Sequence, residues 1–220
     1  MKSSQKVNIK KLCVMALLSA LAYIVMYFGR IPLVLFLKYD PKDIVITIGG
    51  FLYGPLAAFG ITVLVSLIEM VTVSETWFIG LAMNIISGCS FACTASFIYT
   101  RNRKLKGAVI GLAAAWLLTT AVMVMWNYLI TPLYMKVPRQ DIVGMLLPVF
   151  VPFNLLKGGL NAALTMLLYK PVKKALQLSR MMPPAEEPGK TGKFNAGVIV
   201  ASLFVILTCV LWVLVLQGRL

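Results

Sequence analysis

The sequence predicts an all-α integral membrane protein. Of its 220 residues, 60% are hydrophobic and 13% are charged, and the mean hydropathy is +0.90. The apolar residues form long uninterrupted runs, whereas a membrane β-barrel would show alternating polar and apolar residues in pieces of about ten. Composition, hydropathy and run length together therefore favour a bundle of membrane-spanning helices.

Seven apolar segments follow one another along the chain. A helical crossing of the hydrocarbon core needs about 20 residues. The lysine-rich start and Ala20-Leu21-Ala22 imitate a cleavable signal peptide, but the apolar run continues to Phe28, so we expect a retained first helix. The predicted segments are residues 12–28, 44–53, 56–73, 77–99, 108–134, 144–174 and 194–216.

The second segment is short for a full crossing. Gly49, Gly50, Gly54 and Pro55 lie at its end and separate it from the third segment. Glycine and proline favour a turn at this point. We therefore expect the second and third segments to form a tight helical hairpin.

The net charge of +14 is unevenly distributed. Fourteen of the 21 basic residues precede the first segment, lie between the fourth and fifth, or lie in the last turns of the sixth and beyond it. Because basic loops stay in the cytoplasm, we expect the amino terminus inside, the loop 29–42 outside, and the carboxy terminus outside after seven spans. No basic stripe is interleaved with exposed aromatic residues, so the lipid bilayer and not a nucleic acid is the expected partner.

The sixth segment carries a polar stripe. At about 100° per residue, Asn154, Lys157 and Asn161 fall within roughly 60° of one another on the helix surface. Their amide and ammonium groups suit a planar heterocycle with carbonyls and ring nitrogens. Hydrogen bonding between helices is the alternative interpretation. Because polar groups at membrane depth are costly, the stripe is the first candidate for a functional site.

Other polar and aromatic residues lie at comparable depth or in the loop above. Taken singly, each could pack in the bundle or anchor at the membrane interface. Taken together they favour a pocket covered by the first outer loop. They are Asn84 in the fourth segment, Asn127 and Tyr128 in the fifth, and Leu37, Tyr39 and Asp40 in the loop.

Catalysis and metal binding are not expected. The chain contains no His, and most of its seven carboxylates fall in loops, so no pair of titratable groups indicates a shared active site. The four cysteines all fall in apolar segments, where we expect small buried hydrophobic residues and not a metal site. Glu69 is the carboxylate nearest membrane depth, and either ion coupling or an interfacial position could account for it.

The first segment contains a small-residue motif. Ala16-x-x-x-Ala20, with Ser19 beside it, allows another helix to approach closely in lipid. The motif implies a partner only if this face points away from the bundle.

These residues carry a family resemblance over roughly residues 8–178. The sequence resembles a substrate-binding (S) component of an energy-coupling factor (ECF) transporter, most closely the riboflavin-specific members. The matching stretches are Ala16-x-x-x-Ala20, the loop-to-helix passage 38–43, the hairpin 49–55, and residues 153–161 running on to Tyr169-Lys170-Pro171.

The resemblance implies a six-helix protein of the bacterial plasma membrane that binds riboflavin as transported ligand, with no resident cofactor, in an outward-facing pocket. Asn154, Lys157 and Asn127 would be its polar contacts, with Leu37, Tyr39 and Asp40 near the lid. Ala16 and Ala20 would meet a membrane-embedded T component, which is coupled to two cytoplasmic ATPases. In this family the S component topples in the bilayer to present the pocket inward.

The chain departs from the family pattern at its carboxy-terminal end. We expect a substrate-binding domain over residues 1–178, a polar linker over 179–193 and an additional transmembrane helix over 194–220. Two alternatives to riboflavin uptake stay open: an S component for another vitamin, or a structural membrane protein whose polar stripe holds helices together. Flavin mononucleotide could also be carried, although the outer loops show no phosphate-sized basic cluster.

Overall fold

The computed structural model describes residues 9–34, 37–74, 76–179 and 196–216. Two π-helical turns, Cys89–Cys93 and Leu146–Phe150, join helices into longer spans. The predicted linker lies almost wholly outside the described residues. Within them the elements are α1 Ile9–Gly29, β1 Ile31–Val34, β2 Leu37–Tyr39, α2 Lys42–Tyr53, α3 Pro55–Thr72, α4 Trp77–Gly88, α5 Thr94–Arg101, α6 Leu105–Met135, α7 Arg139–Met145, α8 Val151–Leu178 and α9 Ala196–Leu216.

Six helical spans of the described chain are long and apolar enough to cross a membrane. They are α1, α3, α4 with α5, α6, α7 with α8, and α9. This confirms the predicted all-α membrane bundle with an additional carboxy-terminal helix. The remaining helix, α2, has 12 residues and is too short for a full crossing.

The short helix α2 lies inside the bundle and forms the predicted hairpin with α3. All of its residues from Lys42 to Leu52 are buried. Gly54 ends the helix with φ +95°, a left-handed conformation that favours glycine, and its N–H donates to the carbonyl of Gly50 at 2.7 Å. Pro55 then begins α3 at a position where its missing N–H costs no hydrogen bond.

The loop between α1 and α2 contains a β-hairpin that the sequence analysis did not predict. Strands β1 and β2 are antiparallel, with Ile31 opposite Tyr39 and Pro32 opposite Lys38. The apolar and β-branched residues of the loop are typical of strands, but so short a pairing gives no periodic signal. The hairpin carries Leu37 and Tyr39 toward the bundle, where Leu37 is half-buried and Tyr39 is buried.

Aromatic side chains fill the end of the bundle opposite the hairpin. The rings of Phe51 and Tyr99 are stacked with centroids 4.3 Å apart, and Tyr169 meets Phe51 edge-on at 5.5 Å. The hydroxyls of Tyr99 and Tyr169 are hydrogen-bonded at 3.0 Å. This aromatic cluster joins α2, α5 and α8.

Helix α9 packs along α8 and also contacts β1. Cys209 on α9 is buried against α8, with its Sγ 4.0 Å from the carbonyl oxygen of Leu156. Cys89 and Cys93 are half-buried, but Cys13 on α1 is exposed. The prediction of four buried cysteines is therefore wrong for Cys13. The predicted domain boundaries stay predictions.

Candidate functional site

Four charged side chains meet at the end of the bundle that carries the hairpin. Arg30, just before β1, pairs with Asp40 at 2.6 Å and also with Glu69 on α3. Lys42, at the start of α2, pairs with Glu69 and lies 4.0 Å from Asp40. The side chains of Lys42 and Glu69 are almost fully buried. This charged cluster fixes the hairpin to α2 and α3.

A second polar group adjoins the charged cluster and involves α8. Lys157 Nζ lies 3.4 Å from Asp43 Oδ2, and Asn161 donates to the same oxygen at 3.3 Å. The hydroxyl of Tyr39 donates to Asn161 Oδ1 at 2.9 Å. Strand β2, α2 and α8 are therefore joined by one chain of hydrogen bonds and an ion pair, which we call the α8 network.

The charges of the two groups balance. Arg30, Lys42 and Lys157 supply three cations, and Asp40, Asp43 and Glu69 supply three anions. Burial of charge is tolerated when each ion has an opposite partner, so the arrangement holds six ionised groups in a largely apolar bundle.

The pKa values of Tyr39 and Asp40 are shifted by the same neighbours. Burial alone would raise the pKa of the Asp40 carboxyl, but Lys42, Lys157 and Arg30 outweigh it and hold that pKa below its usual value. Burial, aided by the nearby carboxylates, raises the pKa of the Tyr39 phenol. Tyr39 is therefore a neutral hydrogen-bond donor at physiological pH.

Several buried polar atoms near this end of the bundle and along its interior have no hydrogen-bond partner among the described residues. They include one acceptor, Asp43 Oδ1, one donor, Trp126 Nε1, and the hydroxyls of Thr119 and Thr165. Unpaired buried polar atoms are costly and call for an explanation. They lie on α2, α6 and α8, and the last two of these helices carry most of the predicted polar contacts.

The structure brings together four of the predicted site residues: Tyr39, Asp40, Lys157 and Asn161. Asn154 is buried one turn before Lys157, but its side chain donates to the carbonyl of Phe150 in its own helix at 2.8 Å. The polar stripe is thus paired within the bundle, as the helix-packing alternative expects. A ligand at this site would have to exchange partners with these contacts.

The other predicted residues stand apart from the α8 network. Asn127 is buried and donates to the carbonyl of Met123 at 2.7 Å. Asn84 and Leu37 are half-buried. Tyr128 is 37% exposed, with the guanidinium of Arg139 lying 5.2 Å from its ring centroid, so its side chain points out of the bundle.

Sequence reasoning did not select Arg30, Lys42 or Asp43 as site residues. The available signal was a run of alternating charges, Lys38 to Asp43, that ends inside a helix with no polar face. Glu69 was noticed, and the structure pairs it with two cations in a buried position.

The face of α1 that carries the small-residue motif points away from the bundle. Ala16 and Ala20 are both exposed, whereas Ser19 is buried and bonds to the carbonyl of Met15. The condition for a partner face is therefore met.

Known proteins of one family resemble this chain. The family model "ECF transporter, substrate-specific component" matches residues 10–169. The riboflavin transporter RibU of Streptococcus thermophilus is 32% identical over 180 residues, covering 77% of this chain and 85% of the relative. RibU of Staphylococcus aureus is 29% identical, covering 77% and 95%, and the riboflavin transporter FmnP of Bacillus subtilis is 25% identical, covering 79% and 97%.

A solved structure shares the fold as well. The structure described as "Structure and mechanism of the S component of a bacterial ECF transporter" superposes with a TM-score of 0.64 at 28% identity, and covers 76% of this chain and 98% of that one. The match accounts for the first six segments of the sequence and leaves α9 outside the family region. This multi-pass membrane protein belongs to the family of substrate-specific components of ECF transporters, a transport family and not an enzyme family.

Proposed function

We propose that this chain captures riboflavin on the outer side of the bacterial plasma membrane and delivers it inward as the S component of an ECF transporter. The observation that carries the proposal is the α8 network, in which the lid residue Tyr39 is bonded to the same helix face as Lys157. The names of the similar proteins support riboflavin as the transported ligand.

The chemistry of the network suits a flavin. An isoalloxazine ring is flat and carries carbonyl oxygens, ring nitrogens and one N–H, while the ribityl chain carries hydroxyls. The ammonium of Lys157 and the amides of Asn154, Asn161 and Asn127 offer matching donors and acceptors. Trp126, whose buried indole N–H is unpaired among the described residues, adds a donor and an aromatic surface.

Orientation and partners follow from the charge distribution and from α1. The amino terminus is cytoplasmic because the basic loops lie on that side, and the hairpin then faces outward. Ala16 and Ala20 form the face that meets the T component, which in turn works with two cytoplasmic ATPases. Toppling of the whole S component presents the pocket inward. Residues 1–178 form the transport domain, and α9 is an addition to it.

Titration of the purified protein with riboflavin tests the ligand. Bound flavin makes the protein yellow, and binding quenches tryptophan fluorescence. Lys157→Ala and Asn154→Ala should each weaken binding by about 1–3 kcal/mol, because each removes a buried polar partner of the ligand. Asp141→Asn, an exposed carboxylate on α7, is the control and should bind as the native chain does. Unchanged affinity in both site variants would reject the site.

Transport assays test the partner face separately. Ala16→Trp places a large ring on the exposed face of α1, where close helix approach requires small residues. Riboflavin binding by the purified chain should be unchanged, whereas uptake by cells that contain the complete transporter should be lost. Loss of binding as well would argue against a separate docking face.

A further inference from the structure

The buried carboxylate of Asp43 uses only one of its two oxygens. Oδ2 lies 3.4 Å from Lys157 Nζ and accepts the amide N–H of Asn161 at 3.3 Å. Oδ1 has no hydrogen-bond partner among the described residues, although Asp43 is only 2% exposed. A buried carboxylate oxygen without a donor is costly, so this position favours the arrival of one.

The surroundings of Oδ1 contain little that could satisfy it. A Cβ on Gly88 of α4 would lie 3.5 Å from this oxygen, so α4 approaches it with a residue that has no side chain to donate a hydrogen bond. Thr62 borders the same space, but its hydroxyl already donates to the carbonyl of Ala58 at 2.8 Å. An ionised carboxylate can only accept hydrogen bonds, so its missing partner must be a donor.

The neighbours of Asp43 define what kind of donor fits. The ammonium of Lys157 and the amide of Asn161 are both donors, and the free acceptor Oδ1 belongs to the carboxylate that holds them together. A free acceptor with two donors bound to the neighbouring oxygen of the same carboxylate suits an N–H that has carbonyl groups close to it. The isoalloxazine ring has one such edge, its imide, in which N3–H lies between two carbonyls.

We propose that Asp43 is a specificity-determining residue that accepts the imide N–H of the bound flavin through Oδ1, while Oδ2 keeps Lys157 and Asn161 in place beside it. This inference rests on riboflavin being the transported ligand. It adds a residue of α2 to a site otherwise assigned to α6, α8 and the lid. It also gives the pocket a means of rejecting heterocycles that present no N–H at this edge.

Two ligands distinguish this role from a structural one. In 3-methylriboflavin the imide N–H is replaced by a methyl group, and the rest of the molecule is unchanged. The native chain should bind riboflavin about 10- to 100-fold more tightly than the methylated analogue, because the analogue cannot donate to a buried charge. Asp43→Ala should weaken riboflavin binding by a similar factor and change the affinity for the analogue by less than about threefold.

The outcomes separate the two proposals. A native chain that does not bind riboflavin would refute the proposed function. If the native chain binds riboflavin but Asp43→Ala still discriminates fully between the two ligands, only the role of Asp43 is overturned. Asp141→Asn, the exposed carboxylate on α7, is the matched control and should discriminate like the native chain.

Asp43→Ala leaves Lys157 buried without its closest anion, so this variant could fail to fold. A double variant that removes both charges of the pair avoids this problem. Lys157→Met and the double variant Asp43→Ala/Lys157→Met are then compared with the same two ligands. Lys157→Met should retain the preference for riboflavin, and the double variant should lose it. A double variant that keeps the preference would overturn the assignment.

Discussion

The two ends of α2 are held by different kinds of contact. At the end beside the β-hairpin, which is the outer end in the proposed orientation, Lys42 and Asp43 form ion pairs with Glu69 and Lys157. At the inner end, Phe51 packs between aromatic rings of α5 and α8. The outer contacts are polar and can be exchanged for those of a ligand, whereas the inner contacts are mainly packing. The proposed pocket therefore belongs to the outer end, and the aromatic cluster stabilises the opposite end of α2.

The difference has an energetic basis. A buried ion pair stabilises a protein little more than well-packed apolar residues would. Removal of one partner is costly, however, because it leaves a buried charge without an opposite charge. Aromatic packing depends on shape and area, and small changes in side-chain volume are partly accommodated. We expect substitutions at the outer end to have larger effects than those at the inner end.

Removal of Glu69 should give the largest effect. Glu69→Ala leaves both Arg30 and Lys42 without their shared carboxylate in a buried site. The free energy of unfolding should fall by about 3–5 kcal/mol, measured by denaturant titration of the purified protein in detergent. Asp141→Asn, which removes an exposed carboxylate, should change it by less than about 0.5 kcal/mol. A small effect of Glu69→Ala would mean that the charged cluster does not hold the outer end.

Replacement of Phe51 by a smaller side chain should have an intermediate effect on stability. Phe51→Leu keeps an apolar side chain but removes the stacked contact with Tyr99. We expect a loss of about 1.5 kcal/mol of unfolding free energy and an unchanged affinity for riboflavin. Phe78→Leu on α4, whose ring is 73% exposed, is the matched control and should be close to neutral. A marked loss of affinity in Phe51→Leu would place the aromatic cluster in the pocket.

Much of this architecture follows from local sequence. The hairpin of α2 and α3 was predicted because Gly54 and Pro55 determine a turn through their own backbone preferences. The polar stripe on α8 was predicted because helical spacing alone places Lys157 and Asn161 on neighbouring faces.

The contacts of the site could not be predicted in the same way. The pairing of Glu69 with Arg30 joins residues 39 positions apart, and that of Asn161 with Asp43 joins residues 118 apart. Which charges meet depends on how α2 and α3 are placed against α8. Tyr128 shows the converse. It is adjacent to Asn127 in sequence, but it lies on the side of α6 that faces away from the bundle.

A matched pair of hydroxyl deletions should give the smallest effects and compare the two ends most directly. Tyr39→Phe removes the donor to Asn161 at 2.9 Å, and Tyr169→Phe removes the hydroxyl that meets Tyr99 at 3.0 Å. Each change deletes one neutral hydrogen bond, worth about 0.5–1.5 kcal/mol.

The two deletions should nevertheless affect different quantities, one the rate of riboflavin release and the other the free energy of unfolding. Because Tyr39 joins the lid to α8, its loss should speed riboflavin release and weaken affinity by about 2- to 10-fold. Tyr169→Phe should lower the free energy of unfolding by a similar amount of energy and leave the release rate unchanged, because its hydroxyl bonds to Tyr99 in the aromatic cluster, away from the α8 network. Stopped-flow measurement of flavin release, combined with denaturant titration of both variants, checks this pair. Equal release rates in the two variants would show that the lid is held by its ion pairs alone, and that the polar and aromatic ends of α2 do not divide binding from stability.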